Sequence, residues 1–501
     1  MKKQGKKKKV VTYLAPGYAK REVHRLGYHF SLKKYLSYFL GLSGGIAALS
    51  YAFRLKAPWI IVICLITSCF VPGIFITVYR DMYEQKRFED ITAYMEQILY
   101  SFKRRAKILT ALEDTLVLFR EGESRLYDAI SEAVEYIRNA DADRHLYKEA
   151  FAFIEKEYGC ARLYKIHDFL IEAEEVGGDF GASVDILLHD RKLWVDRVYE
   201  LQREKKNVKV KITIGIGLSF LICAMTVFML PKDFSVTENV ISQAVTTVTI
   251  LANLLIWYTA HKKLSKSLIL SEEGMEYEEV KRQYDYVMHG KLDRDRRKGL
   301  YTAAMLIPVI IFLGLKGNMT AAGVVSVFAV LIGTQPERRY KVSLKHLTRA
   351  VEKAFPQWLL SMSLKLQTDN VHVSLARSIQ GAPRVLKEGL NELLEEIERE
   401  PDSVQPYLSF MKPVQLPDVT SAMKVLYSMA EFGAADIGGQ IGPLVERNAA
   451  MTDKAERLRA EDEIAGIGFL VLLPMITGVV KMLADLALVV IYILSAVNNA
   501  V

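Results

Sequence analysis

The chain has 501 residues, 51% of them hydrophobic and 25% charged, with a formal net charge of +8. One soluble domain would spread its apolar residues through a large core, but here they form long, nearly charge-free blocks between strongly charged stretches. That division excludes an ordinary soluble enzyme and suits a chain shared between water and a bilayer.

In chain order, a basic arm comes first (residues 1–34). It carries Lys2, Lys3, Lys6, Lys7, Lys8 and Lys9 and ends in Lys33-Lys34. It has no apolar signal core with a cleavage site, and it lies just before an apolar block. Its lysines are therefore expected to set topology and touch anionic lipid, not nucleic acid. Two apolar blocks follow, 35–53 and 57–79, joined by Arg54-Leu55-Lys56. A third and a fourth, 212–230 and 240–260, are joined by a short polar turn. A fifth and a sixth, 300–315 and 321–333, are separated by little more than Lys316-Gly317-Asn318. The last apolar stretch, 464–497, exceeds one comfortable span and is interrupted by Lys481 and Asp485. It reads as two spans with a tight turn at that charged pair. The expectation is therefore about eight transmembrane helices, each near the ~20 residues needed to cross the hydrocarbon core.

Lys and Arg concentrate in the arm and in segments 80–211, 261–298 and 335–463, whereas the alternate connections are minimal. The positive-inside rule then places both termini and all three segments in the cytoplasm, on a multi-pass protein of the cell membrane. Segments 80–211 and 335–463 read as helical domains of a size that can bury a core, and 261–298 as a linker. In the first domain, 109–119, 126–137, 147–158 and 166–176 carry apolar residues three and four apart. A further helix, 184–210, runs into the third span, and 444–462 runs likewise into the seventh. The fold class is all-α. The four cysteines have neither ligand spacing nor a disulfide pattern.

The halves repeat. "LVLFREGESRLYDAI" leads to "AEEVGGDFGASVDILLHD" in the first, and "LKLQTDNVHVSLARSI" leads to "AEFGAADIGGQIGPLVER" in the second. Leu126 matches Leu375 and Ile130 matches Ile379. Ala173-Glu174 matches Ala430-Glu431, Asp179 matches Asp436, Gly181 matches Gly438 and Leu187 matches Leu444. The order of two spans, helical domain and two spans repeats with them.

A Gly-Glu-Ser turn before an apolar helix, an Ala-Glu-x-x-Gly-Gly segment and a helix running into the membrane resemble the type II secretion F domain. The pattern is most similar to the inner-membrane platform proteins of Tad (Flp) pili, here as two tandem units. The resemblance implies a non-catalytic platform, without cofactor or metal. Such a platform binds a cytoplasmic assembly ATPase, handles pilin subunits in the bilayer and forms a homo-oligomer. Its motif positions fall on Gly122, Glu174, Gly177, Asp179 and Gly181, with Glu431, Asp436 and Gly438 in the second copy. The second half departs from the pattern: Gly122 has no glycine counterpart, and Thr368-Asp369-Asn370 fills that turn.

Physically, the glycines let one helix end and another begin at positive φ, and Asp179 and Asp436 suit the role of helix N-caps. Glu174 and Glu431 lie inside helices, where their role is less constrained. There is no phosphate-cradling Gly-x-x-x-x-Gly-Lys-Ser/Thr, no His-Glu-x-x-His and no Cys-x-x-Cys, and the nine His are scattered. A multi-pass secondary transporter is the alternative, since transporters also use repeated halves but place ionisable groups near the midplane. A sensor scaffold would need a signalling motif that the chain lacks.

Overall fold

The computed structural model describes residues 16–122, 124–140, 145–177, 180–229, 239–265, 277–290, 292–367, 369–414, 416–432 and 437–500, which contain helices and no strand. A short helix α1 (Pro16–Arg25) precedes α2 (Leu32–Ala52), α3 (Ala57–Ser68) and α4 (Val71–Arg104). Pro72 stands in the first turn of α4, where its missing N–H costs no hydrogen bond, and it separates α4 from α3. Then come α5 (Ile108–Leu116), α6 (Arg125–Asn139), α7 (Leu146–Tyr158), α8 (Ala161–Val176), α9 (Gly181–Met229) and α10 (Val240–Leu264).

The second half has α11 (Tyr277–Met288), α12 (Leu292–Ala304), α13 (Ile307–Leu315), α14 (Met319–Gly333) and α15 (Gln335–Lys365). It continues with α16 (Val371–Gln380), α17 (Arg384–Arg399), α18 (Gln405–Ser409), α19 (Pro417–Phe432) and α20 (Ile437–Ala500). Among the described residues, five helical stretches are long and apolar enough to cross a bilayer: Ala57–Arg104, Gly181–Val227, Val240–Leu264, Leu292–Leu315 and Leu444–Ser495. A sixth is added if α14 and α15, bent by 45° at Thr334, count as one. The first apolar block forms the 21-residue α2, which is not among them.

The last apolar stretch departs from expectation. The sequence calls for a turn at Lys481 and Asp485, but α20 is one unbroken helix of 64 residues. No Gly, Pro or Asn falls between Gly478 and Asn498 to end it. The two charges lie four apart on one face and pair with each other, so neither needs a turn to reach water.

Two apolar cores hold the charged segments together. The first joins α4 to α9 around Phe88, Tyr94, Phe102, Leu126, Phe151 and Leu163. The second joins α11 and α15 to α20 around Leu347, Phe355, Trp358, Leu386, Leu390 and Met423. Residues 277–288 thus form a packed helix, α11, that buries Tyr284 and Val287 in the second core.

The connections mark one side of the bundle. The Arg54 carbonyl accepts from Gln243 Nε2 at 3.1 Å, and the Lys56 N–H donates to Gln243 Oε1 at 2.9 Å. The α2–α3 turn therefore lies level with the start of α10, at the end opposite His261, Lys262 and Lys263.

Candidate functional site

The first-half motif residues occupy two turns of the first core. Gly177 ends α8 at φ +70°, a conformation that side-chain-bearing residues rarely adopt. Three residues earlier, Glu174 reaches across to α5. Its Oε2 accepts from the Ile108 N–H at 2.6 Å, and its Oε1 accepts from the Tyr147 hydroxyl at 2.9 Å. Lys107 Nζ stands 3.5 Å away, and the carboxylate is only 9% exposed. A carboxylate at a helix N-terminus satisfies an orphan N–H and suits the positive end of the dipole. Burial, with the bond to Glu174, pushes the Tyr147 hydroxyl up to about 12. Glu174 is therefore a cap supplied from another helix. Gly181 opens α9.

Gly122 has φ +76° with open space around it. Beyond it, Ser124 caps α6 by accepting from the Leu126 N–H at 3.1 Å and donates to Asp90 Oδ2 at 2.7 Å. Arg125 donates to Glu157 Oε1 and to the Arg25 carbonyl, each at 2.6 Å, and lies over the Tyr83 ring. The turn is thereby fastened to α4 where that helix leaves its apolar part, and to α1.

The second half handles the same positions differently. Asn370 caps α16 by accepting from the Val373 N–H at 2.9 Å, and Asp369 pairs with Arg377. Among the described residues between α15 and α16 no helix corresponds to α5. Glu431 consequently has no helix end to cap; it is exposed and hydrogen-bonds Tyr427 within α19. Gly438 lies in the first turn of α20. Asp179 and Asp436 lie outside the described residues.

Two clusters were not legible in the sequence, and a third was visible there only as a charged pair. In the first core, His167 stacks on Phe151, with ring centroids 3.8 Å apart. Its Nδ1 lies 2.7 Å from Glu155 Oε1, and its Nε2 lies 2.9 Å from the Tyr94 hydroxyl. The carboxylate can only accept, so Nδ1 carries the proton and Nε2 accepts from Tyr94. Burial pulls the imidazole down and keeps it neutral, against the opposing pull of Glu155.

The second cluster joins the two halves. Arg162 on α8 bridges Asp190 on α9 at 3.0 Å and Glu456 on α20 at 2.9 Å, lying over the Trp194 ring. Arg459 binds the same carboxylate at 2.8 Å, and Arg197 pairs with Asp453. Burial alone would lower Arg162 and raise Glu456, but the paired charges outweigh it and move both the other way. Beside this network a cleft of about 1270 Å³ opens between α8, α9, α15, α17 and α20, with Lys165, Arg384 and Lys387 among its walls. Its charges come from residues hundreds of positions apart, so no local motif announces it.

The third cluster lies in the apolar stretch. Lys481 and Asp485 are 1% and 3% exposed and pair directly. Ser242 on α10 donates to Asp485 Oδ1 at 3.0 Å and accepts from Lys481 Nζ at 3.3 Å. Below them, Asn253 Nδ2 donates to Ser219 Oγ at 3.3 Å, and Thr477 donates to Asn253 Oδ1 at 3.0 Å. The polar groups of α9, α10 and α20 thus satisfy one another within the apolar bundle.

Among the described residues no three or more His, Cys, Asp or Glu side chains gather as a metal site. In comparisons with known proteins, no family model, no curated protein and no solved structure matches this chain.

Proposed function

We propose that the chain is a non-catalytic platform of a Tad (Flp)-like pilus assembly or type II secretion machine in the cell membrane. Its helical domains receive a cytoplasmic assembly ATPase, and its apolar helices handle pilin subunits. The observation that carries this reading is mechanical. Helix α9 runs for 49 residues from the first domain into the apolar bundle, and α20 runs for 64 from the second. At ~1.5 Å per residue, α9 is a rod of about 74 Å, stiff enough to carry a displacement of its cytoplasmic end into the bilayer. The likeness to the F domain in the Gly-Glu-Ser and Ala-Glu-x-x-Gly-Gly turns supports the same reading, as does the long helix that leaves each domain for the apolar bundle.

The test is a deletion strain complemented with tagged protein, scored for surface filaments and for ATPase co-purification. Filaments lost on deletion and restored by the tagged chain, with the ATPase retained on it, are the expected result. Normal filaments and secretion in the deletion strain would overturn the proposal.

One observation favours a second reading, a multi-pass secondary transporter. Lys481 and Asp485 are ionisable residues buried in an apolar helix, the kind of group that marks solute or ion pathways. Their partner Ser242 stands in the first turn of α10, so the pair lies level with one end of that span, although it falls midway along the apolar run 464–497 of α20. Solute uptake that depends on Lys481 or Asp485, with filaments unaffected, would decide for the transporter.

A further inference from the structure

We infer that the chain is an internal dimer: two copies of one repeated unit stand side by side, and α9 and α20 form the seam between them in the register of the repeat. This inference does not depend on the platform reading.

Parallel packing follows from both helices entering the apolar bundle from the same side; the register does not. In sequence, Gly181 matches Gly438 and Leu187 matches Leu444, each 257 positions apart (438 less 181, 444 less 187). Across the seam, Arg197 pairs with Asp453, 256 positions on. Ser219 meets Thr477, 258 positions on. A Cβ placed on Gly478 would stand 3.1 Å from the Ser219 Cα, and one on Gly215 would stand 3.5 Å from the Val471 carbonyl oxygen. From Arg197 to Ser219, therefore, α9 lies beside its own counterpart in α20, within about two positions.

Levelling of the apolar stretches does not explain this register. Bringing Ile212 level with Ile464, where the two stretches begin, would pair residues 252 apart (464 less 212). The observed register differs from that by roughly a helical turn or more. Counterparts also do the same work. Leu187 and Trp194 are buried in the first core, and Leu444 and Met451, 257 positions on, are buried in the second. Side-by-side packing of like elements about one axis is the arrangement of a twofold dimer, here within one chain.

One contact breaks the symmetry and specifies the pairing. The counterpart of Glu456 is Tyr199, so the carboxylate that completes the buried Arg162 bridge exists only in the second unit. Two first units brought together would leave Arg162 with Asp190 alone and a bulky phenol in place of its second partner. A buried arginine short of a partner is costly, so first-with-second is the favoured pairing.

The test uses the full-length protein in its own membranes, with Cys64, Cys69, Cys160 and Cys223 replaced by Ala and a protease site placed between Ser267 and Gly274. Ser219→Cys with Gly478→Cys is compared with the register-shifted pair Ser219→Cys with Val471→Cys under mild oxidation. After proteolysis without reductant, the in-register pair should keep the two halves joined at the mass of one chain. The shifted pair should release them. Arg197→Cys with Asp453→Cys repeats the test at the cytoplasmic end should the membrane pair fail to fold. Cross-linking of the shifted pair, cross-links that double the mass, or failure of both in-register pairs would overturn the inference.

Discussion

Glu174 and Glu431 occupy matched places in the repeat but not matched environments. Glu174 holds the first N–H of α5 and the Tyr147 hydroxyl, whereas Glu431 is exposed on α19. Glu174→Ala leaves a buried donor and a phenol without an acceptor, at a cost of about 1–3 kcal/mol. Glu174→Gln should recover part of that loss, and Glu431→Ala should stay within about 0.5 kcal/mol of wild type. Thermal unfolding of the purified protein, followed by the cooperative loss of helix signal, measures all three. An equal effect of the two alanine substitutions would count against the capping role. The sequence placed the glutamates on helices but could not say what Glu174 touches, because Ile108 is 66 positions away.

His167 gives the first core a pH dependence whose sign follows from burial. Its folded pKa is lowered, so between that value and the ordinary ~6.5 the unfolded chain binds a proton that the folded one refuses. The stability is present above about pH 6.5 and is lost as pH falls through that window toward the folded pKa. Adjacent Asp168, and Asp90 elsewhere in the same domain, are both raised by burial and act in the opposite sense, so the wild type alone does not isolate the histidine. The difference does. Hydrogen exchange around Tyr94 in the full-length protein should rise less steeply on acidification in His167→Gln than in wild type. Parallel profiles would contradict the assignment.

At the scale of elements, the sequence made most helices legible and missed how one of them ends. Apolar blocks announced α3, α9, α10 and α14, and apolar spacing announced α6, α7 and α8, because burial on one face leaves a local signature. The straight course of α20 was hidden because two charges in an apolar run resemble a turn when their pairing is unseen. The pairing itself is testable. Lys481→Leu or Asp485→Leu alone leaves an unpaired buried charge and should destabilise the protein by about 3–5 kcal/mol. Lys481→Leu with Asp485→Leu should restore most of that loss, since an apolar pair of similar volume needs no desolvation. Detergent melting of the three variants provides the comparison. A double variant as damaged as the singles would show that the charges act on something beyond each other and Ser242.

At the scale of the molecule, an unbroken α20 changes the expected topology. Two spans at the end would return the C-terminus to the cytoplasm. A single helix, rising from the second core past Ser242 to Ala500, carries it to the side of the α2–α3 turn. A reporter fused after Val501 is therefore expected to face outside, with reporters at Lys107 and Lys341 facing the cytoplasm. A cytoplasmic signal at the C-terminus would restore the two-span reading and discard the straight helix.

The seam also determines what a break in one rod should do. A flexible Gly-Gly-Ser-Gly insert after Asn207 falls between two fixed contacts, Arg197 with Asp453 on the side of the helical domains and Ser219 with Thr477 in the apolar bundle. Four added residues move one part of α9 past α20 by about 6 Å if they remain helical, so both contacts cannot persist in register. If they do not remain helical, the rod is cut and the domain hangs from a hinge. On either course the first domain keeps its own core and the apolar helices keep theirs, so the protein should still insert and, on the platform reading, still bind the ATPase. Filament assembly should fail, because displacement of the domain no longer reaches the bundle. Two measurements separate the explanations. One is piliation of the insertion strain. The other is oxidative cross-linking in the same background of the two in-register pairs, Arg197→Cys with Asp453→Cys and Ser219→Cys with Gly478→Cys. Lost piliation with one cross-link gone fits a rigid shaft that must hold its register. Normal piliation with a cross-link gone would mean that the rods only tether the domains. Force would then have to reach the membrane elsewhere, with the Arg125 anchor between α6 and α4 the next contact to cut.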